Sequence, residues 1–171
     1  MKKQFFSVAI LFSLVILTGF RIKNSEIWTA TLKLEGKGKT YILVSDAVYG
    51  GYNKDVSKFF LFGKNHMFQC KEDAAATKAF LDLCTLNGSG QFEFQLSGIQ
   101  NPAAGSRTIS GPGKLNFLKS GGPVQAQYKY NKQKGKEISV NGNFRQFGLN
   151  LDGETSKILS GNFSLIFTSN K

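Results

Sequence analysis

The chain has 171 residues, a length typical of one domain, and carries 22 Lys+Arg against 11 Asp+Glu, for a net charge of +11. It contains one His, which excludes metal sites and proton relays that need several His side chains. Only Arg21, Arg107 and Arg145 are Arg, so nearly all of the cations are Lys. Because bidentate recognition of phosphate or guanine favours Arg, the charge indicates a solvated surface and no nucleic-acid partner.

The first twenty residues have the pattern of an export signal. Lys2 and Lys3 precede an apolar run over 5–17, and Thr18-Gly19-Phe20 follows it. This pattern predicts a signal peptide over 1–20, a single domain over 21–171, and a periplasmic or secreted protein. The run is shorter than the roughly 20 apolar residues of a membrane-spanning helix. Because no Ala-x-Ala cleavage pattern is present, an uncleaved anchor is the alternative.

Period-two alternation of apolar and polar residues dominates the rest of the chain. The alternating segments begin with Trp28–Leu34 and end with Phe163–Phe167, and turn signals such as Gly36–Lys39, Tyr49–Tyr52 and Gly111–Gly113 lie between them. Short alternating segments with turns every 8–12 residues or so are typical of an antiparallel sandwich or a closed barrel. The sequence therefore predicts an all-β fold.

One segment departs from this alternation. Between Asp73 and Cys84 the apolar residues recur at helical spacing, and Asp73 is a suitable N-cap, so we predict one short α-helix over 73–84. Cys70 and Cys84 flank this helix. In an exported protein the two cysteines are able to form a disulfide, and the alternative is a pair of buried, reduced thiols.

The sequence offers little for catalysis or for metal binding. Asp152 and Glu154 are close only along the chain, and their positions are typical of a turn. His66, Met67 and Cys70 are soft ligands within five positions, which is a weak signal for a metal site. The sequence lacks a glycine-rich phosphate loop and a G-x-S-x-G nucleophile motif. We therefore expect no enzyme activity, no metal and no cofactor.

A Lys-rich segment surrounds two tyrosines in the last third of the chain. It comprises Tyr128, Lys129, Tyr130, Lys132, Lys134 and Lys136. Polar residues and a glycine between two alternating segments predict a hairpin, whose Lys side chains oppose pairing with other sheet edges. The alternatives are binding of single-stranded nucleic acid and contact of a basic tip with an anionic lipid surface.

The aromatic residues of the alternating segments are the candidates for a binding interior. They are Phe92, Phe94, Phe117, Tyr128, Tyr130, Phe144, Phe163 and Phe167. In a barrel of about eight strands, the lumen is just wide enough to be filled by side chains or to hold one small ligand. These rings would therefore line a lumen for an elongated apolar ligand, or they would simply fill the core.

Several short motifs resemble, in their order and spacing, those of the YceI-like family of exported lipid-binding proteins. The matching stretches are Asp46–Tyr52, Phe80–Leu83, Phe92–Phe94, Gly113–Phe117, Gly122–Val124, Phe144–Leu149 and Phe163–Phe167, within a region of roughly 28–168. There are two departures from the family pattern. The residues after Trp28 lack the usual His, and Gln146 stands where an acidic residue is common.

The resemblance implies a lipocalin-like antiparallel β-barrel that binds a polyisoprenoid or a fatty amphiphile without catalysis. On this hypothesis the rings exclude water around the apolar tail, and Arg145 is a candidate for contact with a polar or anionic head. The rival hypothesis is a basic interaction module with a filled core, which binds an acidic surface or partner through the Lys-rich hairpin.

Overall fold

The structure is a computed structural model that describes residues 25–36, 38–86, 90–100, 102, 108–116, 121–147, 151 and 153–169. The described residues form eight strands and two α-helices. In chain order these are β1 (Glu26–Gly36), β2 (Thr40–Asn53), β3 (Lys58–Lys64), α1 (Ala74–Leu86), β4 (Gln91–Ser97), β5 (Thr108–Asn116), β6 (Gly121–Asn131), β7 (Gly135–Asn143), α2 (Gly153–Ile158) and β8 (Leu159–Ser169). Single 3-10 turns are formed by Asn65–Met67 and Phe144–Phe147. The predicted signal peptide lies outside the described residues.

The eight strands form a closed antiparallel barrel in which each strand pairs with the next and β8 returns to pair with β1. Leu32 of β1 lies opposite Leu43 of β2 on one side and Leu165 of β8 on the other. Alternate side chains of each strand point inward, and those three leucines are fully buried. The predicted all-β, lipocalin-like barrel is therefore confirmed.

The antiparallel order gives the barrel two different ends. The segments that contain α1 and α2 connect β3 to β4 and β7 to β8, so both helices lie at one end, which we call the helix end. The connections β2–β3, β4–β5 and β6–β7 lie at the opposite end, which we call the hairpin end. None of the helices in the described part of the chain is long and apolar enough to cross a membrane.

The helix predicted over 73–84 is present as α1, and Asp73 caps it. The Asp73 Oδ1 atom accepts a hydrogen bond from the backbone N–H of Ala76 at 3.1 Å. Its Oδ2 atom accepts another from Lys39 Nζ at 2.7 Å. Asp73 therefore starts the helix and ties it to the turn between β1 and β2. The second helix, α2, was not predicted from the sequence.

Two glycine-rich segments that were predicted as turns are parts of strands. Tyr49–Tyr52 lies within β2, where Gly50 has a φ of 155° and allows close contact with β3. A Cβ atom on Gly50 would lie 1.9 Å from the carbonyl oxygen of Phe60. Gly111–Gly113 lies within β5, where Pro112 is tolerated because, among the described residues, β4 pairs only with the part of β5 that follows it.

Cys70 and Cys84 are both buried and are free thiols in the structure. Burial raises the pKa of the Cys84 thiol to about 12. Because the thiolate is the reactive form of cysteine, Cys84 is unreactive near neutral pH while the protein is folded. Chemical labelling decides between these free thiols and the disulfide that the sequence also allows.

Replacing Asp73 with Ala is expected to lower the melting temperature at neutral pH, because α1 loses its cap and its hydrogen bond to Lys39. The hydrogen bonds from Lys39 and from the Ala76 N–H hold the pKa of Asp73 below its usual value. This stabilisation is present above the unfolded-state pKa of about 3.9 and is lost as the pH falls through the lower folded-state pKa. The difference between the two proteins, measured by circular dichroism, therefore shrinks in acid.

Asp82→Ala is the matched control for this prediction, since Asp82 lies on the same helix in an exposed pair with Lys78. It removes the same charge without removing a cap, and its effect on the melting temperature is expected to be smaller. Equal effects of the two substitutions at neutral pH would contradict the capping role of Asp73.

Thiol labelling tests the state of the two cysteines. We expect iodoacetamide at about pH 8 to modify neither thiol quickly in the folded protein, and to modify both in concentrated guanidinium chloride without reductant. The number of added groups is read by mass spectrometry of the intact chain. Labelling that appears only after reduction would show that Cys70 and Cys84 are paired.

Candidate functional site

Aromatic rings line the interior of the barrel. Of the lumen candidates, six are buried and Tyr130 is partly buried against them, and the six are Phe92, Phe94, Tyr128, Phe144, Phe163 and Phe167. Phe117 lies outside the described residues. Strand alternation therefore directs the described members on β4, β6 and β8 toward the core, whereas Phe144, predicted as part of an alternating segment, enters it from the 3-10 turn Phe144–Phe147.

These rings contact one another through the middle of the barrel and at its helix end. The centroid of Phe68 lies 5.6 Å from that of Phe80 on α1 and 5.5 Å from that of Phe92. The centroid of Phe167 lies 5.9 Å from that of Phe92 and 5.3 Å from that of Phe94. Such ring pairs contribute about 0.5–1.5 kcal/mol each beyond their burial. Side chains thus pack this part of the interior continuously.

Arg145, the candidate for a polar head, lies at the helix end. It belongs to the 3-10 turn Phe144–Phe147, and its side chain is exposed. The flanking Phe144 and Phe147 are buried and stack near Phe163, at centroid distances of 4.9 and 6.0 Å. The turn therefore points its rings into the barrel and Arg145 toward solvent, so the structure does not bring Arg145 together with the lumen.

Four aromatic rings from four strands meet at the hairpin end. The centroid of Phe59 lies 6.0 Å from that of Trp28, 5.1 Å from that of Tyr52 and 5.0 Å from that of Tyr128. Of these four residues, only Tyr128 was predicted from the sequence as a site residue. Trp28 could have been predicted as well, because it falls on the same alternating positions of β1 as the other buried residues of that strand.

Two tyrosine hydroxyls hold the β4–β5 connection across this end. Tyr52 donates a hydrogen bond to the carbonyl of Ile99, and Tyr128 donates one to the carbonyl of Pro102. Ile99 is itself fully buried and places an apolar side chain at the hairpin end. Burial, with smaller contributions from Tyr130 and Glu26, raises the pKa of Tyr128 above its usual value. The hydroxyl therefore keeps its proton and remains a donor at neutral pH.

A charged pair lies at the rim of the hairpin end. Lys136 Nζ contacts Glu26 Oε1, although the two residues are 110 positions apart in the sequence. The other carboxylate oxygen, Glu26 Oε2, is buried and has no hydrogen-bond partner among the described residues. Trp28 Nε1, two positions along β1, is also buried without a partner in the described part of the chain. This end therefore combines an apolar interior with polar atoms that are available for hydrogen bonding.

The Lys-rich segment forms the predicted hairpin between β6 and β7. Lys129 lies 3.6 Å from Glu137, and Lys136 is paired at the rim as described. Lys132 and Lys134 are exposed in the connecting turn. Carboxylates thus offset two of the four positive charges, and the turn retains two solvated cations.

The outer wall carries a row of exposed apolar side chains. Ile27, Tyr49 and Phe62 lie opposite one another on β1, β2 and β3, with 67%, 54% and 39% of their surfaces exposed. A groove of about 340 Å³ runs beside Tyr49 and Phe62, and Lys64 and Met67 also line it. No interpretation of the sequence singled out this surface.

The three soft residues His66, Met67 and Cys70 do not form one site. His66 and Met67 are exposed, whereas Cys70 is buried. Within the described ranges, no group of three or more His, Cys, Asp or Glu side chains is placed to hold a metal ion.

Two solved structures share this architecture. One is a polyisoprenoid-binding domain from Saccharophagus degradans implicated in plant cell wall breakdown, with a TM-score of 0.63 and 8% identity over 85% of this chain and 95% of that chain. The other is BcnA from Burkholderia cenocepacia, with a TM-score of 0.59 and 14% identity over 82% of this chain and 94% of that chain.

Comparisons of sequence add no relative: no family model matches the chain, and no curated protein matches it. At identities of 8% and 14%, the structural likeness establishes the fold. It confirms the closed barrel that the resemblance implied.

Proposed function

We propose that this protein binds an amphiphile with a long apolar tail, either an isoprenoid or a fatty chain, inside the barrel, and that it performs no catalysis. The observation that carries this proposal is the aromatic lining of a closed barrel. The shared fold with a domain described as polyisoprenoid-binding supports it. The tail would lie among Phe92, Phe94 and Phe167, whose rings are buried in the middle of the barrel.

Binding of a tail has to separate rings that contact one another. Each separated pair loses about 0.5–1.5 kcal/mol, whereas each methylene group transferred from water gains about 0.8 kcal/mol. A tail of about ten carbons therefore offsets the separation of several ring pairs, and a tail of a few carbons does not. The packed interior thus favours long ligands over short ones.

The hairpin end is the proposed mouth of the barrel. The helix end is sealed by α1, whose Phe80 packs against Phe68 in the interior. The hairpin end carries the apolar side chain of Ile99 and holds the buried polar atoms of Glu26 and Trp28. A head group at the hairpin end, with its tail directed toward the helix end, matches this distribution of polar and apolar groups.

Export and contact with a membrane surface complete the proposal. The pattern of residues 1–20 supports export to the periplasm or the cell exterior. The exposed row of Ile27, Tyr49 and Phe62 is suited to the interface of a bilayer, since tyrosine and apolar side chains are favoured there. Lys64 beside the groove adds attraction to anionic headgroups.

The rival function is the basic interaction module that binds through the Lys-rich hairpin. The exposed Lys132 and Lys134 favour it. The pairing of Lys129 with Glu137 reduces the charge that is available for such a partner.

Extraction of the purified protein with organic solvent, followed by mass spectrometry, tests the main proposal. We expect a co-purified amphiphile with a long apolar chain. In titrations of delipidated protein, saturated amphiphiles with one head group should bind more tightly as the tail lengthens, by up to about fourfold per added methylene group. An empty protein that binds hexadecyl and butyl amphiphiles equally weakly would contradict interior binding.

Sedimentation with vesicles separates the outer apolar row from the basic hairpin. We expect Tyr49→Ser with Phe62→Ser to reduce binding to vesicles of phosphatidylglycerol and phosphatidylcholine. Lys132→Glu with Lys134→Glu should have a smaller effect. If only the Lys substitutions abolish binding, and salt does the same, the basic interaction module is the better description.

A further inference from the structure

The hairpin end holds an unpaired hydrogen-bond donor and an unpaired acceptor on the same strand. Trp28 Nε1 and Glu26 Oε2 are both buried, and neither has a partner among the residues that the structure describes. Trp28 is 0% exposed, so bulk water does not reach its indole N–H. Burial of such groups without partners costs free energy that a suitable ligand would recover.

Three of the neighbouring polar groups are already engaged with other partners. The two tyrosine hydroxyls at this end donate to backbone carbonyls. Lys136 lies on the other oxygen of Glu26, at the rim. Phe59 meets Trp28 edge to face and offers the indole N–H at most the face of a ring, which is a weak acceptor. Among the residues that the structure describes, no partner therefore occupies either the donor or the acceptor.

We propose that Trp28 and Glu26 bind the hydroxyl group of an amphiphilic alcohol, an inference that rests on the proposed binding of a long tail. A hydroxyl group both accepts and donates hydrogen bonds. The hydroxyl oxygen accepts a hydrogen bond from Trp28 Nε1–H, and the hydroxyl group donates a hydrogen bond to Glu26 Oε2. Both protein atoms are then satisfied by a single ligand atom at the mouth of the lumen.

The same pair of atoms disfavours anionic head groups. A carboxylate or a phosphate dianion only accepts hydrogen bonds, so it satisfies Trp28 and leaves Glu26 Oε2 without a donor. Its charge also repels the Glu26 carboxylate, while Lys136 is held on the opposite oxygen of that carboxylate. Among the remaining cations, Arg145 at the helix end and Lys132 and Lys134 in the turn between β6 and β7 are exposed to solvent. The site therefore selects alcohols over fatty acids and phosphate esters of equal length.

The test compares three probes with the same tail: 1-hexadecanol, hexadecanoate and hexadecyl phosphate, each titrated into the delipidated protein at about pH 7. We expect the alcohol to bind about tenfold more tightly than either anion. The chain has one Trp, so the fluorescence of Trp28 reports on its own surroundings. The alcohol should shift this emission more than the two anions do.

Three variants assign the preference to the proposed atoms. Glu26→Gln removes the charge and should bring the affinities of the alcohol and the anions within about twofold of each other. Trp28→Phe keeps an aromatic ring and should weaken alcohol binding, measured by calorimetry, by about fivefold or more. Glu137→Gln is the matched control, since it removes the same charge from the outward face of β7, and the preference should persist.

The outcomes of these experiments distinguish failure of the alcohol site from failure of tail binding. Equal affinities of the intact protein for all three probes would overturn the alcohol site but leave tail binding in place. A preference that survives both Glu26→Gln and Trp28→Phe would show that the two atoms hold only a buried water. Binding of none of the probes would contradict the proposed function itself. Binding of hexadecanoate by a variant shows that the variant is folded. If Trp28→Phe does not fold, Glu26→Gln at the rim alone decides whether these atoms set the preference for the alcohol.

Discussion

The packing of aromatic rings inside a closed sheet is the interaction on which the rest of this structure depends. Strand alternation places Phe94, Phe167 and their neighbours in one shared interior, and the closure of the barrel shields them from water. A ligand that entered the interior would have to replace contacts between these rings. On the proposed function, a tail has to supply more contact than the rings already make with one another, so the interior would favour long, apolar ligands.

Polar groups lie at both ends of the barrel, and the buried Asn65 and Thr155 belong to the helix end. At the helix end, α1 and the turn that carries Arg145 insert phenyl rings and leave charge in the solvent. At the hairpin end, Glu26, Trp28 and Tyr128 place oxygen and nitrogen atoms beside the same kind of ring. On the proposed function, the head group lies beside Glu26 and Trp28 at the hairpin end, and the tail lies along the lumen.

Local patterns were sufficient to predict most of the strands, the inward rings of β4, β6 and β8, and α1, because alternation and the cap at Asp73 act over a few residues. The hairpin-end cluster was not predictable in this way. Glu26 and Lys136 are 110 positions apart and meet only when β1 pairs with β8 and β8 with β7. The glycines within Tyr49–Tyr52 did not distinguish a turn from a strand, since glycine suits both a turn and a close approach between two strands. The helix α2 spans six residues, too few to show a helical period.

The return of β8 to β1 has a consequence for the order of folding. Each of the other pairings joins strands that follow one another along the chain, whereas this one joins Thr29–Gly36 to Leu159–Thr168. Hairpins between consecutive strands close at a small entropic cost. The pairing of β1 with β8 has the largest entropic cost, because these strands are the farthest apart in the sequence. During synthesis, β1 is therefore an open sheet edge until the final strand has emerged, and in this period the chain is most exposed to pairing with another copy.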